Sequence, residues 1–240
     1  MALRFAGKHA VVVGATGHLG QHIARAFASS GAAVSLLGRT AIQLRSELEP
    51  QLEAHATHRF IRLDVADRPS IRDVFREHVG PLDILVNCAG IAQTTLLRRT
   101  SDEGLASVID TNLLATILIC KHAMVKPSGC IINVSSLMAA RGDLGVTAYA
   151  ASKAGVVAFT RNLCRELAAR SIRVNALLPG WVESSMWRDL TPKLQQDYLR
   201  DTPLNRVGHP SEVADAAIFL AANEFANNCV LNLDGGLSAA

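Results

Sequence analysis

Three residues in one short stretch, SLMAARGDLGVTAYAASK, could carry acid–base chemistry: Ser136, Tyr149 and Lys153. Tyr149 and Lys153 are four residues apart, in Tyr-Ala-Ala-Ser-Lys. On a helix that spacing stacks two side chains on one face. A free phenol titrates near pH ~10, too high for easy proton exchange at neutral pH. A fixed cation beside it favours the phenolate and lowers that pKa. A phenol so tuned can give a proton to a carbonyl oxygen or take one from an alcohol. Ser136 follows the apolar run Ile131-Ile132-Asn133-Val134-Ser135, which places its hydroxyl at a strand's carboxyl end. Open α/β sheets hold their ligands at that end. A Tyr-x-x-x-Lys pair is also common on solvated helix faces, so the surrounding elements must decide.

Those elements alternate. Short apolar runs read as strands at Ala10–Val13, Ala33–Leu37, Arg59–Leu63, Ile84–Asn87, Cys130–Val134, Arg173–Leu178 and Val230–Leu233. Between them lie helical patterns at Gln21–Ser29, Ala41–Glu53, Ile71–Val79, Gly104–Met124, Tyr149–Ala169 and Pro210–Ala222. Continuous Val/Ile/Leu runs are how strands buried on both faces read. Their alternation with helices gives βαβ units and a doubly wound parallel sheet of seven strands with helices on both faces. Glu183–Pro203, with Pro192, Pro203, Trp187 and Tyr198, reads as the loosest segment, a lid over a site.

The chain has 240 residues, 49% of them hydrophobic, which suits one α/β domain over residues 1–240. A formal charge of +3 without basic runs gives no nucleic-acid footprint. The long apolar stretches are interrupted, as by Asp110 and Pro179-Gly180, and no membrane span is expected. Cys88, Cys120, Cys130, Cys164 and Cys229 contain no C-x-x-C pair, and the histidines form no ligand cluster. That argues for a reducing compartment and against disulfides or a metal site. The first strand begins almost at once, at Lys8, leaving no room for a secretory signal or an ordinary transit peptide. The cytoplasm or the mitochondrial matrix is expected.

Gly14-Ala-Thr-Gly17-His-Leu-Gly20 lies between the first strand and the first helix. A glycine turn there lets backbone N–H groups approach a pyrophosphate at a helix N-terminus. With it, Asn87-Cys88-Ala89-Gly90, Asn112, Ser136, Tyr149-x-x-x-Lys153 and Pro179-Gly180 follow in order. Over essentially its whole length the chain resembles the short-chain dehydrogenase/reductase family, which implies a single Rossmann-type domain. One departure stands in the glycine turn. The family's shorter branch carries G-x-x-x-G-x-G, with glycine where this chain has His18; here the middle glycine is Gly17. Thr16, Gly17, His18, Leu19 and Gly20 are counted with the turn, and the His18 imidazole is expected to point away from the phosphates.

The resemblance implies hydride transfer between a nicotinamide cofactor and a carbonyl or alcohol. Tyr149 would be the general acid in reduction. Lys153 would hold the nicotinamide ribose and lower the phenol's pKa, and Ser136 would hold the substrate oxygen. Asn112 would kink its helix and hold a water that relays protons to Lys153. Asp64-Val65 would border the adenine, and Asn87, Ala89 and Gly90 would lie beneath the cofactor. Pro179-Gly180-Trp-Val182-Glu-Ser184 would grip the nicotinamide carboxamide. The second strand ends in Gly38-Arg39, where an acidic residue would accept the ribose 2′-OH of NAD. Arg39 suits a 2′-phosphate instead, so NADPH is expected.

The substrate is less legible. The resemblance is closest to 3-oxoacyl-[acyl-carrier-protein] reductases of fatty acid synthesis, on Asn112-Leu-Leu, Ile172-Arg-Val-Asn175, Pro203-Leu-Asn-Arg206 and Asp234-Gly-Gly-Leu237. It implies an acidic carrier protein as partner, with Lys121, Lys126, Arg161 and Arg170 as candidate docking cations. Pro127, where such relatives carry a base, departs from the pattern. Met138, Ala139, Leu144 and Val146 are expected to line an apolar pocket. Reduction of a free quinone, diketone or steroid ketone is the alternative, and a cofactor-binding partner subunit of a mixed tetramer is a third reading. The family's usual 222 tetramer is expected, built on the two long central helices and the last helix and strand.

Overall fold

The computed structural model describes residues 3–52 and 56–239. Its centre is a seven-stranded, all-parallel sheet in the order β3-β2-β1-β4-β5-β6-β7. The strands are β1 His9–Val13, β2 Ala33–Gly38, β3 Arg59–Arg62, β4 Leu82–Asn87, β5 Val125–Val134, β6 Arg173–Pro179 and β7 Val230–Leu233. Alternate residues of β1 serve opposite faces. Ala10 and Val12 enter the core under helices α1 (His18–Ser29) and α9 (Pro210–Ala222). Val11 and Val13 enter the core under α3 (Arg68–Val74) and α5 (Ala115–His122), where Cys164 of α6 (Thr147–Glu166) also packs. Both faces are therefore covered, which is why the strands read as unbroken apolar runs. The order reverses between β1 and β4, and the crevice at their carboxyl ends is where such sheets bind ligands.

The departures from expectation have local causes. The helix expected over Ala41–Glu53 is only α2 (Arg45–Leu48) and a 3₁₀ turn, Glu49–Gln51, because Pro50 supplies no N–H to continue it. Glu53 lies outside the described residues. Strand β5 starts at Val125 rather than Cys130. Its pairing with β4 jumps from Leu82↔Val125 to Ile84↔Cys130, and the intervening bulge holds Ser128 at φ 61°. Pro127 and Gly129 there hide the strand from a pattern reading. The segment expected to be loose is largely helical, as α7 (Ser185–Arg188) and α8 (Pro192–Asp201). Pro192 opens α8 at its first turn, and the Thr191 hydroxyl caps it by accepting from the Leu194 N–H.

α4 (Asp102–Ile109) runs into α5 through a π turn, Asp110–Leu114. The continuous helix Asp102–His122 contains an 18-residue stretch of mean hydropathy 1.4 and is long and apolar enough, by length and composition, to cross a membrane. The interruption expected from Asp110 does not lower that measure enough. In the fold this helix packs against α3 and α6, and 28% of its most apolar 18 residues are buried.

Candidate active site

The glycine turn bends where β1 meets α1. Gly14 has φ +81° and lies against the backbone of β4's continuation: a Cβ there would sit 2.6 Å from the Ala89 nitrogen. A Cβ on Gly20 would lie 2.2 Å from the Gly14 carbonyl oxygen, so α1 could not approach β1. Gly17 is different. It is exposed, its φ is −78°, and a Cβ would meet only the Gly14 carbonyl oxygen, at 3.4 Å. The chain's own packing does not require glycine at 17. Close approach of an outside group to the first turn of α1 does, as for a pyrophosphate on a helix N-terminus. The residues present therefore fit a dinucleotide.

Two adjoining grooves run from this turn along the strand ends, of about 460 and 310 Å³. Thr16, Arg39, Asp64, Val65 and Ala89 line the first; His18, Leu19, Gly20, Ser136, Tyr149, Lys153, Pro179, Gly180, Val182 and Ser184 line the second. Gly14, Gly17 and Gly90 belong to both. Arg39 is exposed and makes no ion pair among the described residues, so its guanidinium is available to a ligand. The Ser184 hydroxyl donates to the Val182 carbonyl at 3.0 Å. His18 turns its ring edge-on to His22, 5.0 Å between centroids, and desolvation beside His22 lowers its pKa.

Two expected site residues do not line either groove. Asn87 is buried and donates to Asn133 Oδ1 at 2.8 Å, which in turn is held through Thr160 of α6. It braces the sheet next to the lining residue Cys88. Asn112 sits in the π turn, a distortion that often marks functional sites. Its Oδ1 accepts from the Ile91 N–H at 2.8 Å, and its Nδ2 donates to the Ile91 carbonyl at 3.0 Å and to Ser152 Oγ at 3.1 Å. Its carbonyl accepts from Thr116 Oγ1 at 2.9 Å. The helix is distorted there into the π turn, and the side chain clamps the turn after β4 onto α6, with its Oδ1 and Lys153 Nζ both bordering Gly90.

Ser135 and Ser136 have separate tasks. Ser135 is buried and its hydroxyl donates to the Lys153 carbonyl at 2.8 Å. Ser136 faces the groove beside Tyr149, and its hydroxyl accepts from the Met138 N–H at 3.2 Å. Lys153 Nζ lies 5.8 Å from the Tyr149 ring centroid and donates to the Val134 carbonyl at 3.0 Å. Burial pushes the Lys153 ammonium down to about 8. Burial pushes the Tyr149 phenol up, against the opposing effect of the nearby Ser136 hydroxyl. In the protein alone the phenol is thus raised rather than lowered, because desolvation outweighs the Ser136 hydroxyl and Lys153 adds no offsetting effect. A raised pKa keeps the phenol protonated, the form that donates.

Gln93 is the residue the pattern did not disclose. It is 4% exposed, and its Oε1 accepts from the N–H groups of Ala148 and Tyr149 at 2.7 and 3.2 Å. Its Nε2 donates to the Thr95 carbonyl at 3.0 Å. It therefore caps the first turn of α6 and sets the depth of Tyr149. A lone glutamine in a loop carries no sequence signal for that role.

The cover over the second groove is tied down from two sides. The Tyr198 hydroxyl of α8 donates to Asp143, and Arg141 faces Asp201 at 3.9 Å. Of the apolar residues expected along 137–148, Leu144 is 86% exposed, and Ala139 packs against Val157 and Leu178. Neither they nor Met138 and Val146 line the grooves, because this loop folds back onto α6 and α8. Trp181 stacks on Tyr198 and Trp187, and its Nε1 and Asn87 Oδ1 are buried without partners among the described residues. Each such atom costs about 1–3 kcal/mol.

A family model described as Enoyl-(Acyl carrier protein) reductase matches residues 14–238. The chain belongs to the short-chain dehydrogenase/reductase family. It is similar to the 3-oxoacyl-[acyl-carrier-protein] reductase FabG of Chlamydia pneumoniae, 37% identical over 247 residues, covering 99% of this chain and 100% of that one. It is 35% identical over 237 residues to the human 3-oxoacyl-[acyl-carrier-protein] reductase, covering 96% and 98%. Among solved structures, a short-chain dehydrogenase/reductase from Serratia marcescens superimposes with a TM-score of 0.92 at 28% identity, covering 98% and 99%. A protein of Agrobacterium tumefaciens described as a 2-deoxy-d-gluconate 3-dehydrogenase, with bound NADP, gives a TM-score of 0.88 at 31% identity, covering 100% and 99%. As a short-chain dehydrogenase/reductase this chain is an oxidoreductase that uses a nicotinamide cofactor.

Proposed function

We propose that the protein reduces a 3-oxoacyl thioester, carried on an acyl carrier protein, to the 3-hydroxyacyl form with NADPH. The observation that carries the chemistry is the convergence of Ser136, Tyr149 and Lys153 on one groove wall, with Lys153 Nζ 5.8 Å from the Tyr149 ring centroid. The likeness to 3-oxoacyl-[acyl-carrier-protein] reductases supports the substrate, and the unpaired Arg39 at the end of β2 supports a 2′-phosphate.

When bound, the nicotinamide supplies the hydride. Ser136 orients the substrate oxygen, and the protonated Tyr149 phenol delivers a proton to that oxygen as its charge develops. The Lys153 ammonium, held by the Val134 carbonyl, stabilises the phenolate left behind. Asn112 and Gln93 position these groups from behind.

The candidate docking cations are partly engaged. Lys126 pairs with Asp83 at 2.9 Å, and the Arg170 guanidinium donates to the Val125 carbonyl at 2.5 Å. Both lie at the amino ends of the strands, the opposite end of the sheet from this chain's own groove. That favours a second reading, reduction of free small carbonyls. NADPH oxidation with acetoacetyl-CoA, acetoacetyl-acyl carrier protein and menadione separates the two: turnover of the quinone alone overturns the thioester reading. The exposed apolar surface of Asp102–His122 supports pairing with a second copy in a homotetramer, which sedimentation checks. The five free thiols fit a reducing compartment, and we assign the cytoplasm, to be checked by fractionation.

A further inference from the structure

Three imidazoles stand in a row between α1 and the start of α9: His18, His22 and His209, with successive ring centroids 5.0 and 5.9 Å apart. Two of them are committed. His22 Nδ1 lies 2.9 Å from the His18 carbonyl oxygen, which can only accept, so that nitrogen carries the proton. His209 Nδ1 accepts the Ser211 N–H at 3.2 Å as the cap of α9, so that nitrogen carries none. The His18 ring makes no hydrogen bond among the described residues. It is exposed, it belongs to the first residue of α1, and it lines the second groove directly after Gly17.

The surroundings of that free ring are cationic. His22 and Arg25 face it from α1, Arg188 from α7 and His209 from the start of α9, and no carboxylate acts on it among the described residues. Arg206 and Glu212, beside His209, are paired with each other. Desolvation, and then these cations, hold His18 below the ordinary histidine range, and the positive end of α1 works in the same direction. The imidazole is therefore neutral at pH 7 until an anion reaches the first turn of α1. Opposite charge then favours the imidazolium. Gly17, open where a side chain would intrude, marks that turn for a pyrophosphate.

We propose that His18 takes up a proton when the pyrophosphate of a nicotinamide dinucleotide arrives, so that the protein binds its cofactor more tightly as pH falls from about 8 to about 6. The ring leans on His22 and acts through its charge. Glycine, which the family's shorter branch carries at this position, has no proton to take, so the coupling belongs to this chain. The inference rests on the cofactor and not on the choice of carbonyl substrate.

Titration calorimetry of NADP⁺ binding near pH ~6.5, in buffers of different ionisation heat, counts the protons. The parent protein takes up a fraction of a proton more per cofactor than His18→Gln, which keeps a side-chain donor and cannot titrate. The difference between the two cancels the 2′-phosphate's own titration. Between about pH 8 and about pH 6 the ratio of Kd values, variant over parent, rises about threefold to tenfold, because moving an imidazole's midpoint by about one pH unit is worth tenfold in affinity. His18→Gly is the second variant, should glutamine disturb the turn, and loses the linkage as well. The chain has eight histidines, and the ring resonance missing from both variants reports His18 itself. Its titration midpoint moves up by about half a pH unit or more in the NADP⁺ complex. NAD⁺, which keeps the pyrophosphate and lacks the 2′-phosphate, gives the same linkage. Linkage that survives both variants, a His18 midpoint unmoved by cofactor, or linkage with NADP⁺ alone overturns the proposal. None of these readings involves a carbonyl substrate, so the thioester reading and this one stand or fall separately.

Discussion

The side-chain carbonyl of Gln93 accepts the backbone N–H of Tyr149 at 3.2 Å, across 56 positions of sequence. The same oxygen accepts the Ala148 N–H at 2.7 Å. Helix α6 has no side-chain cap from its own preceding residue, Val146. Its first turn is satisfied from the loop after β4, and the phenol's position is set by that distant contact. Gln93→Leu leaves two half-buried N–H groups unpaired and is expected to cost about 2 kcal/mol of stability. Denaturant unfolding reads the loss. Gln93→Glu keeps the acceptor and should restore much of kcat, whereas recovery of stability without kcat would show that Gln93 does not position Tyr149.

Tyr149→Phe keeps the ring and removes the proton. Turnover should fall by about 10²- to 10⁴-fold, the usual worth of a positioned acid. NADPH binding, followed by fluorescence, should stay nearly intact. Activity within tenfold of the parent would exclude Tyr149 as the acid.

Arg39→Asp replaces a cation on the groove, without an ion pair among the described residues, with an acid able to accept from a ribose 2′-OH. A charged hydrogen bond is worth about 1.5–3 kcal/mol, so the NADPH-over-NADH ratio of kcat/KM should drop by about 10- to 100-fold. An unchanged ratio would mean that another residue selects the cofactor.

Lys153 has a folded-state pKa near 8, depressed by burial, against ~10.4 for a free lysine. Between those values the unfolded chain binds more protons than the native one, so this group makes stability rise with pH in that window. Below pH 8 its buried charge works against folding. Unfolding free energies of the cofactor-free protein measured from pH 7 to 10 should show this slope, and Lys153→Met should lack it. Equal slopes would place the ammonium in a wetter setting.

Glu212 caps α9 and pairs with Arg206 at 2.6 Å, which with the His209 N–H pulls its carboxyl down to about 2. Its folded pKa lies below the free value of ~4.3. The stabilisation is present above that value and is lost as pH falls through about 2. Glu212→Gln should flatten the acid limb of the unfolding curve without altering stability's slope near neutrality. Circular dichroism across that range provides the check.

Much of the fold was legible because it rests on local periodicity. Strands buried on both faces read as apolar runs, and their alternation with amphipathic stretches left one economical topology. The site was legible where function needs particular residue types at short spacing: Gly14–Gly20, Tyr149 with Lys153, and Ser136 at a strand end. Strand β5 escaped in part because a bulge breaks its pattern, and α8 because Pro192 opens a helix as readily as it ends one.

Tertiary structure decided what depends on burial and on contacts between distant segments. It separated Ser135, tied to the Lys153 carbonyl, from Ser136 in the groove. It turned Asn112 into a clamp, made Gln93 the cap of α6, and enclosed the Trp181 N–H without a partner among the described residues. It also reversed the expected direction of the Tyr149 pKa. The sequence by itself determined the sheet and the glycine turn and pointed to Ser136, Tyr149 and Lys153, because these follow from residue type and nearby spacing. Desolvation and long-range hydrogen bonds are properties of enclosure, and enclosure exists only once the chain has closed around its site.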